Sequence, residues 1–110
     1  MKRAVVTGAT RGIGLAIAQH LLAQGWAVLG CGSRAESIRQ AQVAAPSLQL
    51  FQADLADAGQ AQAFCQWVLQ QGPAPDVLVN NAGYFQAAGL FEQAADRAPA
   101  ALLQRMLDVN

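Results

Sequence analysis

The sequence predicts an α/β domain, a doubly wound parallel sheet with helices on both faces in a three-layer α/β/α order. Three observations predict it. Short apolar runs at residues 4–6, 27–31, 48–52 and 77–79 alternate with stretches of helical period. None of the four runs carries a charged residue, the pattern of strands buried on both faces. A glycine-rich segment, residues 8–14, falls between the first run and the first helical stretch. Such alternation gives parallel strands joined by right-handed crossovers, and the strand order that follows is 3-2-1-4.

Each element has its own signal. Ala4, Val5 and Val6 read as the first strand. A helix is expected over residues 12–24, with Ile13, Ile17 and Leu21 along one stripe and Gly25 as its stop. Residues 27–31 form the second strand. A weaker helix over residues 35–45 is ended by Pro46. Residues 48–52 form the third strand. In the next helix, Ala61, Phe64, Cys65, Val68 and Leu69 recur at helical spacing on one apolar face, and Gly72 and Pro73 close it. Val77, Val79 and the leucine between them make the fourth strand, and the turn-forming Asn80-Asn81-Ala82-Gly83 follows. After a loop through Gly89, a last helix is expected from near Pro99, with Leu102, Leu103, Met106 and Leu107 facing a core and Asn110 at its end.

Composition narrows the class. The 110 residues allow one small domain, and 54% hydrophobic against 13% charged residues excludes a disordered chain. A formal net charge of zero leaves no basic surplus to neutralise phosphates, so no nucleic-acid partner is expected. No apolar run approaches the ~20 residues of a membrane helix. Lys2 and Arg3 lead into an apolar stretch that Thr7 and Gly8 break at once, which leaves no signal-peptide core. A cytoplasmic protein with no membrane partner is expected. Cys31 and Cys65 lie in apolar stretches without ligand spacing and read as buried, reduced thiols. His20 is a lone surface histidine, and no metal site is expected.

Chemistry enters with Thr7-Gly8-Ala9-Thr10-Arg11-Gly12-Ile13-Gly14, placed between a strand and a helix. A phosphate site needs a tight turn, backbone free of Cβ clashes, and helix N–H groups aimed at the anion. Gly8, Gly12 and Gly14 supply the first two and the helix N-terminus the third; a glycine-rich turn without a ligand is the competing reading. The T-G-x-x-x-G-x-G spacing resembles the short-chain dehydrogenase/reductase family, a Rossmann-type fold. Within that family it is similar to the NADP-dependent 3-oxoacyl-[acyl-carrier-protein] reductases. Later motifs fall in the family's order, so the resemblance covers the whole chain.

Further positions then take on expectations. The resemblance implies that Gly8, Thr10, Arg11, Gly12, Ile13 and Gly14 hold the cofactor's phosphates. At the end of the second strand an NAD-specific domain carries a carboxylate for the ribose 2′-OH. Residues 31–34 contain no Asp or Glu; Ser33 and Arg34 suit a 2′-phosphate instead, and Arg11 adds a cation nearby. NADP(H) is therefore expected in preference to NAD. Two alternatives stay open: the arginines as ordinary solvated charges, and Glu36 brought near the ribose by a shift of two residues. After the third strand, the resemblance implies that Asp54 accepts from the adenine amino group while the Leu55 backbone reads the ring; a helix N-cap is the competing role. It also implies that Asn81, Ala82 and Gly83 pass along the cofactor ribose. Asn110, in Met106-Leu107-Asp108-Val109-Asn110, resembles the asparagine of the family's catalytic Asn-Ser-Tyr-Lys set, whose backbone holds a water in a proton relay.

The family transfers hydride between nicotinamide and a carbonyl or alcohol substrate, with a Ser and a Tyr-x-x-x-Lys pair as acid/base machinery. Here Tyr84 is followed by Ala88 rather than lysine, and Lys2 precedes the first strand. The expectation is that residues 1–110 are the N-terminal, cofactor-binding part of a reductase about twice this length, with a small-molecule substrate and homo-oligomer contacts in the parent protein. A stand-alone NADP(H)-binding module or a non-catalytic truncated product is the alternative.

Overall fold

The computed structural model describes residues 1–81. In chain order the elements are β1 (Arg3–Val6), α1 (Gly12–Ala23), β2 (Ala27–Gly32), α2 (Ala35–Ala44), β3 (Gln49–Gln52), α3 (Ala58–Gln70) and β4 (Val77–Val79). The strands form one sheet in the order β3-β2-β1-β4, every pair parallel. Val5 lies level with Leu29 of β2 and Leu78 of β4, and Cys31 with Phe51 of β3. The expected architecture and strand order are thus present, with boundaries within a residue or two of those read from sequence. The turn beyond Asn81, the loop with Tyr84, and the helix expected from Pro99 lie outside the described residues.

Alternation along the strands divides the core between the two faces. Val5, Leu29, Cys31 and Leu78 point to the side that α3 covers with Ala61, Phe64, Cys65 and Val68. This is the apolar face read from the helical spacing. Phe51, Phe64 and Trp67 extend it as an aromatic trio with ring centroids 5.3–6.3 Å apart. Val6 and Val28 point to the other side, where Ala18 and Leu48 are buried with them.

Helix α1 departs from expectation in its rotation. Ile17 and Leu21 pack against the core, but Ile13 is 72% exposed. The buried positions of the helix are Gly14 and Ala18, one turn apart. Gly14 sets this rotation. A Cβ there would collide with the Gly8 carbonyl and stand 2.5 Å from Asn81 Nδ2, so only a glycine lets the helix settle so close to the loop beneath it. The stripe through Ile13 then turns away from the sheet in the first turn.

The helix N-termini differ in their caps. Asp57 caps α3, its Oδ1 accepting from Gln60 N at 3.1 Å. Arg11 and Arg34 stand at the N-cap positions of α1 and α2, and neither supplies a side-chain hydrogen bond. No helix among the described residues is long and apolar enough to cross a membrane.

Candidate functional site

The carboxyl ends of the strands converge on a cavity of about 420 Å³. Four segments line it: Gly8, Thr10, Arg11 and Gly12 after β1; Cys31, Gly32 and Ser33 ending β2; residues 53–56 after β3; and Asn81 after β4. Crevices at the carboxyl edge, where strand order reverses, are where such sheets bind ligands.

The loop after β1 is fixed from below. Thr7 N donates to Val79 O at 3.0 Å, and Thr7 Oγ1 accepts from Asn81 N at 2.9 Å. Asn81 Nδ2 donates to Gly8 O at 3.2 Å, and Ala9 N donates to Cys31 O at 3.0 Å. The first loop is therefore tied to the ends of both neighbouring strands. Gly8 and Gly12 take φ of 61° and 58°, the left-handed region that glycine enters without a Cβ penalty. The two turns bring the chain round so that the uncapped first turn of α1, which carries no acidic residue, opens at the cavity. Unpaired helix N–H groups and the positive end of the helix dipole favour an anion there.

Thr10 is buried, and its methyl group lies over Gly32, where no Cβ would fit. Small residues thus keep the cavity wall open. Cys31 forms part of that wall, and burial pushes its thiol up to about 11 despite a hydrogen bond from the Gly8 backbone. A thiol so held is protonated at neutral pH and acts as apolar lining.

Beside the main cavity lies a second, of about 260 Å³, lined by Thr10, Arg11, Arg34, Glu36, Ser37 and Gln40. The two arginines that the sequence singled out therefore share one recess. Glu36 lines it too, and pairs with Arg39 at 3.8 Å. Both partners are about 70% exposed, so this pair holds Glu36 only weakly.

On the wall after β3, Asp54 does not cap a helix; Asp57 does. Asp54 Oδ1 accepts from Ala56 N at 3.0 Å. Asp54 Oδ2 and the Leu55 N–H have no hydrogen-bond partner among the described residues. An acceptor and a donor thus stand side by side on a cavity wall whose Leu55 is only 7% exposed.

Most of the residues singled out from sequence come together here. Gly8, Thr10, Arg11, Gly12, Ser33, Asp54, Leu55 and Asn81 line the main cavity, and Arg34 the adjoining recess. Gly14 lies under the loop rather than on the cavity, and Ile13 is exposed outside it. Ala82, Gly83 and Asn110 lie outside the described residues. Sequence reasoning missed Cys31, Ala53 and Ala56 as wall residues; the available signal was their position next to the strand ends. No group of three His, Cys, Asp or Glu side chains that could hold a metal occurs among the described residues.

Comparison with known proteins gives the family and the fold. The family model described as short chain dehydrogenase matches residues 2–110. The uncharacterized oxidoreductase DltE of Bacillus subtilis is 39% identical over 79 residues, covering 72% of this chain and 31% of its own length. The 3-oxoacyl-[acyl-carrier-protein] reductase FabG of Staphylococcus aureus is 41% identical over 88 residues, covering 74% of this chain and 35% of its own. Among solved structures, the Pseudomonas aeruginosa RhlG/NADP active-site complex superposes with a TM-score of 0.69 at 31% identity, over 96% of this chain and 44% of that one. The chain belongs to the short-chain dehydrogenase family. It spans less than half the length of these relatives.

Proposed function

We propose that this chain forms the NADP(H)-binding half of a reductase or dehydrogenase that interconverts a carbonyl and an alcohol. The observation that carries the reading is the open first turn of α1, framed by Gly8 and Gly12, with Arg11 and Arg34 together in the adjoining recess. The named complex of RhlG with NADP and the reductase FabG are consistent with it.

In this reading the N–H groups of the α1 first turn and the Gly8–Gly12 backbone bind the pyrophosphate. Arg11 and Arg34 hold the 2′-phosphate, with Ser33 adding a hydroxyl. Asp54 Oδ2 accepts from the adenine amino group and the Leu55 N–H donates to the ring. Asn81, Ala82 and Gly83 pass along the cofactor ribose, and Ile13 covers the loop on its outer side. The bound cofactor supplies the hydride. Asn110 contributes its backbone to a proton relay, which a serine and a Tyr-x-x-x-Lys pair of the whole protein complete around a small carbonyl or alcohol substrate.

Fluorescence titration with NADPH and NADH tests the assignment. NADPH is expected to bind about 10- to 100-fold more tightly, the worth of charge-assisted bonds to one extra phosphate. Arg34→Glu is expected to reverse the order by repelling the 2′-phosphate. Equal affinities for the two cofactors, unchanged by Arg34→Glu, would overturn the NADP(H) assignment.

A further inference from the structure

We infer that Gln60, outside the cavity, is a positioning residue that sets the adenine-reading edge. The inference rests on the cofactor reading above. The cavity wall after β3 is the short link between β3 and α3, and by itself such a link is free to change shape. A closed set of hydrogen bonds holds it. Gln60 Oε1 accepts from Asp54 N at 2.9 Å, and Gln60 N donates to Asp57 Oδ1 at 3.1 Å. Asp57 N donates to Asp54 O at 3.0 Å, and Ala56 N donates to Asp54 Oδ1 at 3.0 Å.

The usual partner of a glutamine in the third position of a helix is the backbone N–H of its own N-cap residue. Gln60 reaches three residues further back instead, to Asp54. Its side chain thereby joins the rigid first turn of α3 to the residue that presents a carboxylate to the cavity. With the Asp54 N–H held by Gln60 and Oδ1 held by Ala56, Asp54 Oδ2 and the Leu55 N–H are left without a hydrogen-bond partner among the described residues. An acceptor next to a donor is the complement of the adenine amino group and its neighbouring ring nitrogen. Hypoxanthine, which carries an oxygen in place of that amino group, opposes the carboxylate with a second acceptor. Gln60 therefore acts on base selection through Asp54, without touching the base.

The test measures the affinity of the full chain for NADPH and for the reduced hypoxanthine analogue of NADPH, in the wild type, Gln60→Ala and Gln60→Glu. The wild type is expected to prefer NADPH by about 3- to 10-fold, the worth of one hydrogen bond at a partly exposed edge. Gln60→Ala is expected to lose most of that preference, while Gln60→Glu, which keeps an acceptor at the same reach, retains it. A change in fold stability alone would move both affinities together and leave their ratio intact. An undiminished preference in Gln60→Ala overturns the inference, as does a wild type that binds both cofactors equally. In either case NADPH binding itself still stands; a wild type that binds neither overturns the cofactor reading as well.

Discussion

At the scale of the residue, Gly14 is the position where one methyl group matters most. Its missing side chain lets α1 sit on the Gly8 carbonyl and lets Asn81 reach across to the same oxygen. Gly14→Ala forces helix and loop apart. The expected cost is about 1–3 kcal/mol, the usual range for overpacking a tight site. It should register as a lower urea midpoint together with weaker NADPH binding; a variant unchanged in both would contradict this role. The glycine pattern was legible in sequence because its spacing is fixed by geometry. Gly8 and Gly12 turn the chain, and Gly14 brings the helix close. Ile13 was less legible. Apolar periodicity reports which residues share a stripe, but a steric stop at Gly14 decides how the helix is rotated about its axis. Cys31, Ala53 and Ala56 escaped notice for another reason: a wall of small residues has no pattern of its own.

At the scale of the element, the contrast among helix N-termini separates structure from function. Helix α3 begins with its own cap at Asp57, whereas α1 begins uncapped at the cavity. A helix that leaves its first N–H groups unpaired gives up the stabilisation of about 1 kcal/mol that a cap supplies. An anion bound there restores it. Strand and helix order were readable because alternation leaves few topologies open. The Asp54–Gln60 connection was not, since sequence shows which side chains can accept but not which donor each one reaches. The packing of β2 on α3 makes a separate prediction through its thiols. Burial raises Cys31 from 9.0 to about 11, and raises Cys65 to about 12 with the neighbouring Cys31 charge adding to the effect. Both are raised in the folded state, so their contribution to stability is complete below about pH 9 and is lost as the pH climbs towards 11 to 12. Denaturation midpoints measured from pH 8 to 11 should fall, and the Cys31→Ala/Cys65→Ala double variant should fall less steeply. An identical slope in the double variant would show that the thiols contribute nothing.

At the scale of the whole molecule, one edge of the sheet gathers every described segment that the cofactor reading uses. Loops after β1, β2, β3 and β4 meet at a single cavity, although their residues span positions 8 to 81. The amino-end side is organised differently, by backbone ties such as Asp76 N donating to Arg3 O at 2.8 Å. Parallel strands make this division: all four end on the same side, so four separate stretches of sequence contribute to one crevice. Another surface recess, between the C-terminal ends of α1 and α2, is lined by Leu22, Ala23, Ala44 and Pro46 and gathers no charged group. The central claim is that the carboxyl-edge cavity holds NADP(H). Amide hydrogen exchange of the full chain with and without saturating NADPH tests it most directly. Slowed exchange at residues 8–14, 32–34 and 53–56 is the predicted result. Protection confined to the recess between α1 and α2, or no change at the glycine loop with NADPH bound, would contradict it.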